Sequence, residues 1–159
     1  MIDLDRTDCE ILALLRNDAR LSNKALAGAV GLAPSTCLLR VRRLIREGVL
    51  KGFHADVDPG AVGATLQAMI AIRLERHSRA EVEAFRAHAL AQPEVVQLYH
   101  VAGVNDFLAH VWVRDARHLR DVAMTAFTAR AEVAHIETGL IFEHAVSDTL
   151  PMLRETSRA

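Results

Sequence analysis

The first third of the chain reads as three short helices. From Asp5 to Asp18, Ile11, Leu12 and Leu15 share one side of a helical period and follow the polar starters Asp5 and Thr7. Ser22 is placed to cap a second helix whose apolar side carries Leu26, Ala29 and Val30. Gly31 ends it, because a left-handed residue there satisfies the last carbonyls without a Cβ penalty. A third helix is predicted from Ser35 to Glu47, with Gly48 as its stop, and "VLKGFHADVDP" reads as two short extended pieces around Lys51-Gly52. Together these elements predict a winged helix-turn-helix.

Beyond the breakers Asp58-Pro59-Gly60 and Gly63 the period changes to two. Gln67 to Glu75 is strand-like, with Ile70, Ile72 and Leu74 in alternation. Ser78 opens a helix with capping-box spacing to Glu81, turning Val82, Phe85 and Ala89 inward, and Pro93 ends that element. Val95 to Val101 and Phe107 to Val113 form a hairpin around Gly103-Val104-Asn105-Asp106, residues that tolerate positive φ or bond their own backbone. Asp115 caps a further helix carrying Leu119, Val122 and Ala126, and the last strand is Ile136 to His144 with Ile136, Thr138, Leu140 and Phe142 alternating.

The order β-α-β-β-α-β is the ferredoxin-like arrangement. The predicted fold class is therefore α+β: an N-terminal winged helix-turn-helix over residues 1–53, a linker over 54–65, a ferredoxin-like domain over 66–144 and a tail over 145–159. In such a unit both helices cover one face of the sheet. Val96 and Leu98 alternate with Val95, Tyr99 and Val101, and Phe107, Ala109, Val111 and Val113 with Leu108 and Trp112, so both faces look apolar. A sheet apolar on both sides needs a second cover, which a homo-oligomer packed through its sheets supplies.

The 159 residues are 51% apolar and 25% charged, a globular balance, with a formal net charge of −1. The distribution of charge is more telling than the total. Between Arg20 and Phe53 stand Arg20, Lys24, Arg40, Arg42, Arg43, Arg46 and Lys51 against the single acid Glu47, whereas the remainder is mildly acidic. A basic segment joined to an acidic one points to two domains, one of which meets a polyanion. No run approaches a membrane span, and the start MIDLDRTDCE lacks the pattern of a signal peptide, which gives a cytoplasmic expectation.

With Val41 at the centre of the inward face of the third helix, Leu38, Leu44, Ile45 and Cys37 lie within about 60° of it. Ser35, Thr36, Leu39, Arg43 and Arg46 fall on the far side, with Arg40 and Arg42 on the flanks. Arginine bonds guanine bidentately in the major groove, hydroxyls reach phosphates or bases, and an apolar tip meets a thymine methyl. Recognition helices touch bases with their N-terminal residues, which favours Ser35, Thr36, Leu39 and Arg40 near bases and Arg43 and Arg46 near phosphate. Lys51 and Gly52 bring the wing beside the DNA backbone; the plain alternatives are a solvated arginine face and an ordinary surface hairpin.

The eight histidines raise the question of a metal. If Ala102 pairs with Phe107, His100 lies opposite Ala109 and His110 opposite Tyr99, on opposite faces, and no chelating pair forms. Cys37 reads as a buried thiol in the core of the DNA-binding domain, with a Cys9–Cys37 redox switch as the alternative. No nucleophile elbow, phosphate loop, metalloprotease helix or placeable carboxylate pair occurs, and the two domains use the whole length. The reading is of no catalytic residues, no metal site and no cofactor, hence no enzyme.

"LDRTDCEILALLRNDARLSNKALAGAVGLAPSTCLLRVRRLIREGVLKGF" closely resembles the N-terminal domain of the Lrp/AsnC family, the leucine-responsive and asparagine-operon regulators. The second half, with its "VAGVNDFLAHVWV" hairpin, resembles that family's regulatory domain, and the match spans roughly Leu4 to His144. The resemblance implies a transcription factor that binds double-stranded DNA, dimerises through its C-terminal sheets and assembles further, commonly to octamers. It also implies an amino-acid effector between dimers, beside a G-x-x-D loop that corresponds here to Gly103, Val104, Asn105 and Asp106. Asn105 stands where the family frequently has an aromatic residue. Gly103 would admit the ligand to the backbone, Asp106 would meet its ammonium group or order the loop, and Thr138 matches a polar position near the pocket. The expected function is thus a sequence-specific, amino-acid-responsive transcriptional regulator. Its alternatives are a ligand-independent architectural DNA binder and a metabolite-binding module with no DNA role.

Overall fold

Asp5 opens the first helix through a reciprocal cap, accepting the Asp8 N–H at 2.8 Å while the Asp8 carboxylate accepts the Asp5 N–H at 3.2 Å. The computed structural model describes residues 3–151 and 153 and divides into two units, one of Met1–Asp56 with Ala145–Ala159 and one of Val57–His144. In the first unit α1 (Arg6–Asn17), α2 (Asn23–Ala29) and α3 (Pro34–Arg46) close around Ile11, Leu15, Leu26, Ala27, Cys37 and Leu44. The tail belongs to this unit: Arg16 donates to the carbonyls of Ser147 at 2.8 Å and Thr149 at 3.4 Å.

Two glycines end helices as their sequence positions predict. Gly31 has φ +68°, and beyond it Leu32 N–H returns to Ala27 O at 2.9 Å. Gly48 has φ +69°, and Val49 N–H returns to Leu44 O at 2.9 Å. Both are Schellman closures, which only a residue without Cβ strain adopts readily.

Three local expectations for this unit are corrected. In α2 the inward pair is Leu26 and Ala27, and Ala29 is exposed. The buried side is centred between Leu26, Ala27 and Val30, which leaves Ala29 more than a quarter-turn away. In α3 the buried residues are Cys37 and Leu44, Val41 is half-buried, and Leu38 and Ile45 are exposed. The helix is rotated by roughly 40° from the expected orientation, toward Arg40. Finally, the stretch from Lys51 to Asp58 contains no strand, so the wing is not a ladder. Val49 and Leu50 are tied back to Leu44 O, and two pieces this short have no third strand to support them.

In the second unit the linker breakers make a capped turn. Asp58 accepts the N–H groups of Gly60 and Ala61, a 3-10 turn spans Gly60–Val62, and Gly63 follows with φ +84°. The sheet has the order β2-β3-β1-β4, with β1 (Leu66–Leu74), β2 (Val95–His100), β3 (Phe107–Val113) and β4 (Val133–Ile141), every pair antiparallel. α4 (Arg79–Leu90) and α5 (Ala116–Val122), continued by a π-helical segment Ala123–Thr128, accompany it. Ala68, Ile70, Ile72 and Leu74 meet Phe107, Ala109, Val111 and Val113 in one core with Phe85, Leu119 and Phe127. The Phe85 and Phe107 rings lie 4.9 Å apart. This is the predicted α+β architecture.

The details of the strands differ from the alternation. β4 starts three residues earlier than expected, because a bulge between Arg73 and Leu74 and the Glu75 N–H to Glu132 O bond extend the pairing backward. At its other end Ile141 pairs Gln67, and Phe142 stands almost wholly exposed. The hairpin register is shifted by two: His100 opposes Phe107 and Leu98 opposes Ala109, while His110 opposes Gln97. A bulge between Val95 and Gln97 turns Val95 and Leu98 to the same face, where both pack on the core. The opposite face is consequently mixed: Met69, Ala71, Leu108, Tyr99 and Trp112 are interspersed with Gln67, Gln97, His110 and Glu137.

Candidate nucleic-acid interface and effector loop

Helix α3 is held at both ends and open along one side. Pro34 fits the first helical position, where no N–H is needed, and its carbonyl accepts from the side chain of Asn23 at 2.8 Å. The cap residue Ala33 makes no side-chain hydrogen bond, which leaves the N–H groups of the first turn to an outside acceptor. Ser35, Thr36, Arg42, Arg46 and Lys51 are exposed, and Leu39 is 66% exposed. Five of the expected DNA contacts, with Leu39 beside them, are therefore on the surface.

The remaining two arginines are engaged within the unit. Arg40 Nη1 bonds Asp5 Oδ2 at 2.7 Å and Asp8 Oδ1 at 2.9 Å, and Arg43 Nη2 bonds Asp8 Oδ2. Hydrogen bonds that Arg40 donates to Asp5 and then to Asp8 raise its pKa above the ordinary value. Burial pushes Asp5 up, but the Asp8 N–H and the Arg40 guanidinium outweigh it and hold the carboxyl below the usual aspartate range. Arg46 bonds its neighbour Glu47 at 3.0 Å, and among the described residues Arg42 and Lys51 form no ion pair. Thr36, Leu39, Arg40, Arg43 and Asp5 line one shallow depression.

Sequence reasoning missed Asp5 and Asp8 as partners of these arginines. A signal existed: Asp8 occupies the same helical face as Ile11 and Leu15, and an acid in an apolar stripe demands a cation. Cys37 projects into the core as expected, and burial raises its thiol pKa.

The loop between β2 and β3 is anchored chiefly by Asp106. Asp106 N–H donates to Ile72 O at 2.9 Å, and its carbonyl accepts the Val101 N–H at 2.9 Å. Its Oδ2 accepts the Leu74 N–H at 2.8 Å, and Oδ1 lies 2.9 Å from His77 Nε2. Gly103 has φ +139° with open space around it, Val104 is 78% exposed and Asn105 is half-buried. Of the two roles expected for Asp106, this geometry performs the ordering of the loop. His77 was not foreseen, since nothing in the spacing marks it.

Thr138 is exposed on β4 opposite Ile70, whereas Asp106 is bonded at Ile72, and β1 lies between them. One chain does not bring Thr138 and the loop together. A separate cavity of about 490 Å³ opens beside the end of β1, lined by Glu75, Arg76, Glu81, Ala84, Ala131 and Glu132. His100 stacks on Phe107 while His110 lies on the other face. Among the described residues no group of three or more His, Cys, Asp or Glu could hold a metal ion, and no helix is long and apolar enough to cross a membrane.

Comparison with known proteins places both units in context. A family model described as winged helix-turn-helix DNA-binding matches residues 4–51, and one described as Lrp/AsnC ligand binding domain matches residues 67–151. The HTH-type transcriptional regulator AldR of Mycolicibacterium smegmatis is 48% identical over 142 residues, covering 89% of this chain and 83% of that protein. The leucine-responsive regulatory protein of Rhizobium meliloti is 33% identical, covering 87% and 89%. A transcriptional regulator of Neisseria meningitidis, crystallised as a complex with L-Met, superposes with a TM-score of 0.84 at 28% identity, covering 93% of this chain and 96% of that one.

Proposed function

The chain belongs to the Lrp/AsnC family and is a DNA-binding transcriptional regulator with a ligand-binding domain, and from that premise we propose that α3 reads duplex DNA under the control of an amino acid or related metabolite. Ser35, Thr36, Leu39 and Arg40 meet base edges, and Arg42, Arg43, Arg46 and Lys51 meet phosphate. The observation that carries this reading is the exposed side of α3, where hydroxyls, an apolar tip and guanidinium groups share one surface beside an uncapped helix start.

The effector site comprises Gly103, Val104, Asn105, Asp106 and Thr138, at an interface between dimers. The L-Met complex of the Neisseria relative supports an amino acid, and the separation of Thr138 from the loop by β1 supports a site completed by a second copy. Dimers assemble to an octamer, so that ligand changes the spacing of DNA-binding domains along successive half-sites. Residues 1–53 bind DNA, 54–65 link, 66–144 sense and assemble, and 145–159 form the tail. The protein acts in the cytoplasm as a regulator rather than an enzyme.

A melting-shift and calorimetry screen across the amino acids tests the effector. A true effector at about a hundred times its Kd stabilises by about 2.7 kcal/mol, a shift of several degrees. A flat response across the panel, with DNA binding intact, identifies a ligand-independent architectural regulator instead.

A further inference from the structure

Asp8 is an acid with a fully buried side chain, and it spends its oxygens on the helix that reads DNA. Oδ1 accepts Arg40, and Oδ2 accepts Arg43 together with the N–H of Asp5. Arg40 is further held by Asp5, so two guanidinium groups, one turn apart on α3, are fixed from the first turn of α1. Arg40 uses only Nη1 in these bonds and Arg43 only Nη2. A guanidinium carries five N–H donors in a rigid fork, so fixing one nitrogen orients the rest. Arg43 Nε is buried with no partner, which leaves Nη1 as the nitrogen that group has to offer.

Stability alone does not explain this arrangement. Taking a carboxylate out of water is costly, and an apolar side chain of similar volume often serves a core as well or better. What the buried acid adds is orientation. Its two arginines line the same depression as Thr36 and Leu39, on the surface assigned above to DNA contacts.

We propose that Asp8 is a positioning residue for sequence reading: it touches no DNA but clamps Arg40 and Arg43, so that α3 meets the major groove with preorganised guanidinium groups beside Thr36 and Leu39. Arg40, whose Nε and Nη2 stay free, recognises the O6/N7 edge of guanine, which accepts a bidentate guanidinium, while Arg43 presents Nη1 to a phosphate oxygen. Preorganisation matters because an arginine that must first be ordered loses part of its binding free energy to rotamer entropy. This inference rests on α3 being the DNA-reading helix.

The test compares the full-length chain with Asp8→Asn, which keeps the shape and removes the charge. Both are titrated against a duplex selected from random DNA by the wild type and against unrelated duplex. In folded Asp8→Asn, affinity for the selected duplex drops about tenfold or more, while affinity for unrelated DNA stays level or rises as the arginines are freed. A merely structural role leaves the ratio of the two affinities unchanged, and that result overturns the proposal. A wild type that prefers no duplex overturns the reading of α3 as well, which separates the two failures.

A measurement on the wild type needs no variant to fold. Nitrogen-15 NMR of the arginine side chains reports guanidinium rotation, and Arg40 and Arg43 should rotate at least about tenfold more slowly than Arg42. Equal rotation for all three contradicts the clamp.

Discussion

Asp106 is bound to Leu74 at the end of the sheet: its Oδ2 accepts the Leu74 backbone N–H at 2.8 Å, beside the bulge between Arg73 and Leu74. The Leu74 side chain is buried, so that N–H has no ready water to replace the carboxylate. Asp106→Ala should cost about 1–3 kcal/mol, the penalty of a stranded buried donor, and should abolish any amino-acid response while leaving basal DNA binding. Asp106→Asn keeps an acceptor and should melt closer to the wild type. Thermal denaturation of the two variants side by side checks this; equal melting would show that the bond contributes nothing.

Gly103 has φ +139°, a conformation that L side chains rarely adopt, although a Cβ there would meet open space. Strain without a clash predicts a local penalty of about 1–3 kcal/mol for Gly103→Ala. Hydrogen exchange should accelerate at residues 101–106 and stay unchanged in α3. Exchange that is unaltered in the loop would mean that the backbone accommodates alanine freely.

His110 is 4% exposed, bonds Gln67 Oε1 at 2.9 Å and meets the His144 ring edge-on at 5.8 Å. Burial, and then repulsion from His144, lower its pKa below 6.5. The unfolded chain therefore binds this proton more readily, and stability should fall as pH drops from about 7 toward 5 and reach a plateau above neutrality. Substituting His110→Asn should flatten that part of the profile. A wild-type melting temperature constant over the range would refute the assignment.

Acid also weakens the first unit by a different route. Asp5 is held below its ordinary 3.8, so its contribution is present above that value and lost as pH falls through the depressed one. Asp5→Asn should remove part of the acid-induced loss below about pH 4, as read by circular dichroism of the helical signal.

Phe107 is fully buried, 4.9 Å from the Phe85 ring, and its other neighbour is the His100 ring stacked at 4.7 Å. Phe107→Ala opens a cavity at the start of β3, next to Asp106. A loss of about 3–5 kcal/mol in denaturant unfolding is expected. A loss below 1 kcal/mol would mean that the site collapses around the smaller residue.

The helices were legible because their signals are local. Ser22, Gly31, Ser78, Gly48 and Asp115 each act through bonds to residues two to five positions away, and each stands where its sequence position puts it. Alternation located Ile70, Ile72 and Leu74 in the core for a similar reason. Registers were not legible, since a bulge such as the one after Val95 leaves no mark in an apolar run and still exchanges the two faces. Only the strand pairing expected within the wing is absent, because short extended pieces need a neighbouring strand that the segment itself does not contain. On α3 the helical period placed Ser35, Thr36, Leu39, Arg42 and Arg46 on the exposed side, but it could not show which arginines are already paired. Arg40 and Arg42 looked alike on the flanks of α3, and the distant Asp5 and Asp8 distinguish them.

The most direct measurement is equilibrium binding of the whole chain to a duplex recovered by selection from random DNA, titrated across salt and repeated with each amino acid. The account predicts a steep loss of affinity with salt, by about tenfold or more between 50 and 200 mM, a strong preference for the selected duplex, and a change of about fivefold or more with at least one amino acid. Equal affinity for every duplex, with no response to salt or to any amino acid, would contradict it.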